Sequence, residues 1–128
     1  MAKNNIKILS DLESEIMEIV WKAGNASVRD VLLEMQKKRK IAYTTVMTVM
    51  SRLYDKGVLE RKLNASGAFV YESMKEKEAF IQEKSQKIIK GFLREYGDVA
   101  VAQFFDIIES SDSRKSKEWK SKLKKLIE

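Results

Sequence analysis

One face of a helix predicted from about Tyr43 to Lys56 carries polar and thioether side chains that can contact nucleic acid. The residues recur at helical spacing and therefore share a face; they are Thr44, Thr45, Met47, Thr48, Ser51, Arg52 and Asp55. Threonines are poor helix formers, and a purely structural surface would more often use glutamate, lysine or glutamine. Hydroxyl and guanidinium groups can hydrogen-bond phosphates and base edges in a DNA groove. We therefore interpret this face as a contact surface.

Three helices are predicted to position this face. The first begins with the capping-box pair Ser10 and Glu13 and ends before Gly24. The second begins at Ser27 and runs into the cationic segment 37–40. The third buries the face opposite to the contact surface, with apolar residues at Val46, Val49, Met50 and Leu53.

A β-hairpin is predicted after the third helix. Residues 58–63 alternate in character, residues 69–71 are β-branched or aromatic, and residues 64–67 have turn chemistry. Three short helices followed by a hairpin is the order of a winged helix-turn-helix, in which the third helix enters the major groove. We predict a mainly α fold with a small β-hairpin, formed by a winged helix-turn-helix domain over residues 1–74.

Residues 75–128 are predicted to form a helical dimerisation region, with helices over 75–96, 98–109 and 114–127. So few residues rarely close a core without metals, disulfides or a second copy. The apolar residues that would remain exposed on a monomer are Phe80, Ile81, Ile88, Phe92, Phe104, Phe105, Ile108, Trp119, Leu123 and Leu126. We expect a two-fold homodimer that buries them and presents two recognition helices.

The positive charge is concentrated on the predicted groove-facing elements. The 128 residues carry 25 Lys+Arg and 19 Asp+Glu, a net charge of +6. Residues 37–62 alone hold eight cations against two anions. A second basic stretch, 113–128, is predicted to form an amphipathic helix. Its lysines are expected to strengthen the long-range attraction to DNA without having to contact it.

The chain has no Cys, His or Pro, and the absence of these residue types excludes several classes of chemistry. Disulfides, zinc fingers, iron–sulfur clusters and triads that need His or Cys lack their essential residues. We expect no enzyme, no metal and no cofactor. No apolar run reaches the roughly 20 residues that cross a bilayer, and no signal peptide is evident at the start. A cytoplasmic protein without membrane insertion is expected.

The chain resembles the BlaI/MecI/CopY family of penicillinase-type repressors. The resemblance rests on LSDLE at 9–13, Val20-Trp21, the run AYTTVMTVMSRLYDKGVLER at 42–61 and FVY at 69–71. It implies a homodimeric transcriptional repressor bound to a palindromic double-stranded DNA operator. The DNA-binding positions carried over from the family are Ala42, Tyr43, Thr44, Met47, Thr48 and Arg52, with Lys62 and Ser66 as contacts from the wing.

The resemblance also assigns roles and raises the question of induction. It implies hydrogen bonds to base edges or phosphates from the threonines, a thymine-methyl contact from Met47 and a phosphate contact from Arg52. Copper-responsive members use paired cysteines, which this chain lacks. In β-lactam-responsive members a regulatory protease cleaves an Asn-Phe bond, and Gln103-Phe104 falls near that position. We interpret Phe104 as dimer core, with cleavage as the alternative.

Other interpretations stay open at this stage. The winged helix could bind another protein, or bind DNA without sequence preference as an architectural protein. Arg52 could pair with Asp55 three residues away. Tyr43 could be a core aromatic, and the cluster at 37–40 could be only a soluble helix end.

Overall fold

Two compact units make up the chain in this computed structural model, which describes residues 7–110 and 114–127. The first unit ends at Lys84 and the second begins at Ser85. No helix in the described ranges is both long and apolar enough to cross a membrane.

The first unit is a winged helix, as the sequence predicts. Its three helices precede the two strands of the wing, and a short strand lies between the first two helices. The elements are α1 (Asp11–Ala23), β1 (Asn25–Ser27), α2 (Val28–Gln36), α3 (Tyr43–Asp55), β2 (Leu59–Leu63) and β3 (Phe69–Ser73).

Reciprocal side-chain caps start the first two helices. The Ser10 hydroxyl accepts from the Glu13 amide at 3.1 Å, and the Glu13 carboxylate accepts from the Ser10 amide at 2.9 Å. Ser27 and Asp30 repeat the arrangement at 3.1 and 3.0 Å. Gly24 ends α1 with a φ of 88°, a backbone conformation that residues with a side chain rarely adopt. These predicted helix boundaries are confirmed.

The sheet has three strands in the order β1-β3-β2, one more than the sequence analysis predicts. β1 pairs antiparallel with β3, so that Ala26 lies opposite Tyr71, and both are buried. Because β1 comes from the α1–α2 connection, backbone hydrogen bonds tie that connection to the wing.

The core of the first unit is apolar, and Glu13 is the buried charged residue among those described. Its Oε2 accepts a hydrogen bond from the Lys56 ammonium at 2.8 Å, which joins α1 to the end of α3. Burial alone would raise the pKa of Glu13, but the Lys56 ammonium and the Ser10 amide outweigh burial and hold that pKa below its ordinary value. The capping residue therefore also joins two helices.

Trp21 attaches the segment after the wing to α1. Its indole N–H donates to the Ser73 hydroxyl at 2.9 Å and the Lys75 carbonyl at 3.0 Å. Its ring lies 5.6 Å from that of Phe80, which is only 5% exposed. The sequence analysis assigns Phe80 to dimerisation, but the structure buries it in the first core. Phe80 lies within the first compact unit, which ends at Lys84.

The remaining helices are α4 (Lys77–Ser110) and α5 (Arg114–Ile127). The backbone of α4 is non-helical at Gly97, where φ is 55° and ψ is −129°. This break falls between the two helices predicted over 75–96 and 98–109. Within the second unit, the Lys120 ammonium donates to the Glu109 carbonyl at 2.8 Å, so that α5 lies beside the end of α4.

Candidate nucleic-acid interface

The outward face of α3 is solvent-exposed along its length. Its buried side contains Val46, Val49, Met50 and Leu53, as the spacing predicts. All six positions predicted on or next to this helix as DNA contacts are exposed: Ala42, Tyr43, Thr44, Met47, Thr48 and Arg52. Tyr43 is 46% exposed, and this exposure excludes a role as a core aromatic. Hydroxyl, thioether and guanidinium groups therefore point to solvent from one rigid helix.

A cleft of about 690 Å³ lies between this face and the wing. Tyr43 and Met47 line it from α3, while Phe69 and Tyr71 line it from β3. The residues that line the cleft all belong to the first unit, so α3 and the wing border one continuous surface.

Arg61 holds the wing against α3. Its guanidinium carbon lies 4.0 Å from the ring centroid of Tyr54 on α3 and 4.1 Å from that of Phe69 on β3. Its Nη1 also donates to the Tyr71 hydroxyl at 3.3 Å. A cation over aromatic faces is attracted by the ring quadrupoles. Arg61, which the sequence analysis only counts among the cations of residues 37–62, therefore joins three elements.

An Asx-type turn holds the wing tip. Asn64 Oδ1 accepts from the Ser66 amide at 3.0 Å, the Ser66 hydroxyl at 2.8 Å and the Ala68 amide at 3.0 Å. Gly67 has a φ of 83°, which a residue with a side chain rarely adopts. Ser66, a predicted DNA contact, is exposed at this tip, and its hydroxyl proton is already donated within the turn.

Lys62 and Arg61 lie on opposite faces of the hairpin. Arg61 is paired with Tyr71 in the strand register, whereas Lys62 is paired with Val70. Successive side chains of a strand point to opposite sides, and Arg61 contacts Tyr54 of α3. Lys62, a predicted wing contact, is therefore exposed on the face directed away from the cleft.

Arg29 is a cation at the cleft that the sequence analysis does not single out. It lies in the first turn of α2, is exposed, and lines the same cleft as Tyr43 and Met47. No ion pair with another described residue occupies it. The signal that could have found it is its position in the first turn of the helix before the recognition helix, where HTH proteins approach the backbone.

The basic segment 37–40 is partly neutralised. Lys37 pairs with Glu34 at 2.6 Å, and Arg39 pairs with Glu15 of α1. Arg52 has no ion pair with Asp55 in the described part of the chain, so the guanidinium remains available. Arg29 at the cleft and Arg52 on the outward face of α3 are therefore two exposed cations without an ion pair among the described residues.

Many apolar side chains on the helices after the wing are exposed. Of the residues predicted for dimerisation, the exposed ones are Ile81, which belongs to the first unit, and Ile88, Phe92, Phe104, Phe105 and Trp119 of the second unit. Ile108 is buried and Leu123 is half-buried, and the side chain of Leu126 lies outside the described residues. Tyr96, Val99 and Ile107 are exposed as well, although the predicted set omits them.

The chain is similar in sequence to a family of known proteins. The penicillinase repressor family model matches residues 9–128. Methicillin resistance regulatory protein MecI of Mammaliicoccus sciuri is 35% identical over 79 residues, which cover 62% of this chain and 63% of that protein. The penicillinase repressor of Bacillus licheniformis is 29% identical over 84 residues, 66% of this chain and 65% of that protein.

A solved structure is similar to part of this chain. The solution structure of Bacillus licheniformis BlaI in its monomeric form, in complex with the blaP half-operator, has a TM-score of 0.48 and 28% identity. The aligned region covers 58% of this chain and 89% of the chain in the solved structure. The family match extends over nearly the whole sequence, including the helices after the wing. The chain belongs to the penicillinase repressor family.

Proposed function

We propose that this protein is a DNA-binding transcriptional repressor that reads a palindromic operator as a homodimer. The observation that carries the proposal is the exposed polar face of α3 beside the cleft to the wing, with Arg29 and Arg52 unpaired at that surface. Family membership supports the repressor role, because the relative from Bacillus licheniformis is named a penicillinase repressor.

Each contact has a chemical role in this proposal. Thr44 and Thr48 donate or accept hydrogen bonds at base edges or phosphates, and Met47 contacts a thymine methyl group. Arg52, near the end of α3, binds a phosphate as a charge-assisted contact. At the wing tip, Ser66 offers its remaining acceptor capacity, and Lys62 approaches the backbone from the outer face of the hairpin.

Selection of bound genomic fragments with the purified full chain tests sequence specificity. We expect enriched fragments that share an inverted repeat, with half-sites about 10 bp apart or a multiple of that spacing. Recovery of unrelated fragments would instead identify an architectural DNA binder. Absence of any bound fragment would identify a protein-interaction module.

Substitutions on α3 test the assigned contacts. Thr48→Ala is expected to weaken operator binding by about tenfold, which corresponds to about 1.4 kcal/mol and lies within the range for a lost base contact. Arg52→Ala, which removes a phosphate contact, is expected to weaken binding by less than about tenfold on operator and random DNA alike. Thr48→Ser keeps the hydroxyl and should retain part of the affinity. Arg94→Ala on α4, equally exposed, is the matched control and should not change binding. Unchanged affinity in both α3 variants would refute the assignment.

The exposed apolar surface of the second unit supports dimerisation. Phe92 and Phe104 are each 52% exposed, and contiguous apolar patches of this kind mark interaction sites. Phe104→Asp is expected to give a folded monomer in sedimentation equilibrium, since the side chain is not needed in a core. Leu33→Asp on α2, with a similar exposure of 53%, is the matched control and should leave the dimer intact. A dimeric Phe104→Asp protein would contradict this surface.

The bond between Gln103 and Phe104 lies within α4, in regular helix. A protease would need this helix to open locally before the bond becomes accessible. We therefore assign Phe104 to the dimer surface and not to a cleavage site. Incubation of the dimer with a broad-specificity protease should leave this bond intact under conditions that cleave the urea-denatured chain.

A further inference from the structure

The outward face of α5 carries dense positive charge, most of it without an ion pair among the described residues. This fourteen-residue helix holds seven lysines and arginines and one glutamate. We propose that this face binds the phosphate backbone of DNA without reading sequence, as a second contact separate from α3 and the wing. The proposal rests on the proposed function, since it assumes that DNA is the partner of this protein.

Most of these cations lack a neutralising partner. Lys115 lies 3.7 Å from Glu118, and Lys120 lies 3.8 Å from the Glu109 carboxylate. The other five are all exposed and have no ion pair among the described residues; they are Arg114, Lys117, Lys122, Lys124 and Lys125. A solvated helix surface more often interleaves the two signs.

The arrangement is unfavourable for an isolated helix. Arg114, Lys115 and Lys117 crowd the first turn, where the positive end of the helix dipole disfavours cations. Lys117 and Lys124 each have another lysine three or four residues away, at Lys120, and like charges at this spacing repel. A polyanion bound along the helix would remove both penalties. The charge pattern therefore fits the bound state better than the free one.

The position of α5 favours DNA over a lipid surface. A helix that binds a membrane must insert its apolar face among the acyl chains. Here Leu123 is half-buried and Lys120 bonds to the end of α4, while Trp119, which is 50% exposed, is assigned to the dimer surface. Protein therefore occupies the apolar side of the helix in the proposed dimer. From Arg114 to Lys125 the helix extends about 16 Å at 1.5 Å per residue. Duplex DNA presents about one phosphate charge per 1.7 Å of its axis, so several phosphates lie within that length.

Removal of three cations from the full chain tests the proposal. The variant is Lys117→Gln, Lys122→Gln and Lys124→Gln; the matched control removes three exposed cations of α4, by Lys87→Gln, Lys90→Gln and Arg94→Gln. Fluorescence anisotropy measures binding to an operator duplex and to a random duplex of equal length, between 50 and 200 mM salt. Sedimentation confirms that both variants keep the oligomeric state of the parent.

The expected result is a shallower dependence of log affinity on log salt for the α5 variant. Each lost phosphate contact lowers the slope by about 0.9, so three contacts lower it by up to about 2.7. Affinity for the operator and for random DNA should fall by the same factor, since no bases are read. The α4 control should keep the parental slope on both duplexes.

Two results would overturn the proposal. One is an unchanged slope in the α5 variant; binding of the parent to phosphatidylserine vesicles that the α5 variant loses would then identify a lipid surface. The other is an equal decrease in the α4 control, which would show an effect of net charge alone. Failure of the proposed function is distinct, because the parent protein would then bind operator and random DNA equally, or bind neither.

Discussion

Replacement of Arg61 by methionine is expected to lower the free energy of unfolding of the first unit by about 2 kcal/mol. Methionine keeps much of the alkyl stem but removes the guanidinium. Two ring contacts, at 4.0 and 4.1 Å, are lost at a half-buried site, each worth about 0.5 to 1 kcal/mol. The hydrogen bond to Tyr71 adds about 1 kcal/mol.

Urea unfolding measures this change when it is followed by the fluorescence of Trp21. The chain has two tryptophans, so a Trp119→Phe background confines the signal to the first unit. All variants are compared at one protein concentration, because dimerisation couples stability to concentration. Lys62→Met is the matched control; its side chain is exposed on the other hairpin face, and its effect should stay within about 0.5 kcal/mol.

A double-mutant cycle with Tyr54→Leu isolates the contact between α3 and the wing. The coupling energy between Arg61 and Tyr54 should be about 0.5 to 1 kcal/mol. If Arg61→Met falls within the range of the Lys62→Met control, or the coupling is zero, the guanidinium does not hold the wing against α3. The reasoning about the cleft would then be refuted.

Three further substitutions probe the joints of the first unit. Glu13→Gln keeps the cap but removes the ion pair with Lys56. Because the pKa of Glu13 is lowered in the folded state, the parent should have a higher free energy of unfolding in urea than the variant at neutral pH, and this difference should vanish as pH falls below 4.5. A difference that does not depend on pH would contradict this. Gly67→Ala, at a φ of 83°, should lower the free energy of unfolding by about 1 kcal/mol in the same assay. An unchanged free energy of unfolding would mean that the backbone of the wing tip accommodates a side chain without strain. Trp21→Phe should lower the free energy of unfolding by about 1 to 2 kcal/mol, followed by circular dichroism, because the hydrogen bonds from the indole to the Ser73 hydroxyl and the Lys75 carbonyl are lost; a neutral change would show that these bonds contribute little.

Local chemistry made much of the first unit predictable. The capping pair Ser10 and Glu13, the glycine at position 24 and the apolar spacing on α3 act through neighbours within four residues. The turn at 64–67 likewise satisfies its own hydrogen bonds. These elements and the exposed face of α3 therefore follow from short-range patterns.

Long-range contacts escaped the same reasoning. β1 is only three residues long, and it forms because Ala26 meets Tyr71, which is 45 positions later in the chain. Phe80 has the spacing of a dimer residue, yet it packs on Trp21. The stacking of Arg61 requires two rings from different elements to converge. Apolar spacing identifies a side chain that will be buried, but not which surface buries it.

Pairing between β1 and β3 has a consequence for the entropy of DNA binding. It attaches the start of α2, with Arg29, to the same sheet that carries the wing, while Arg61 attaches that sheet to α3. The side chains around the cleft therefore stand on one preorganised frame, and the backbone freedom that association usually removes is already lost during folding. If DNA binds at this cleft, as we propose, it meets a surface that is complete before contact, and little backbone ordering is then left for binding to require.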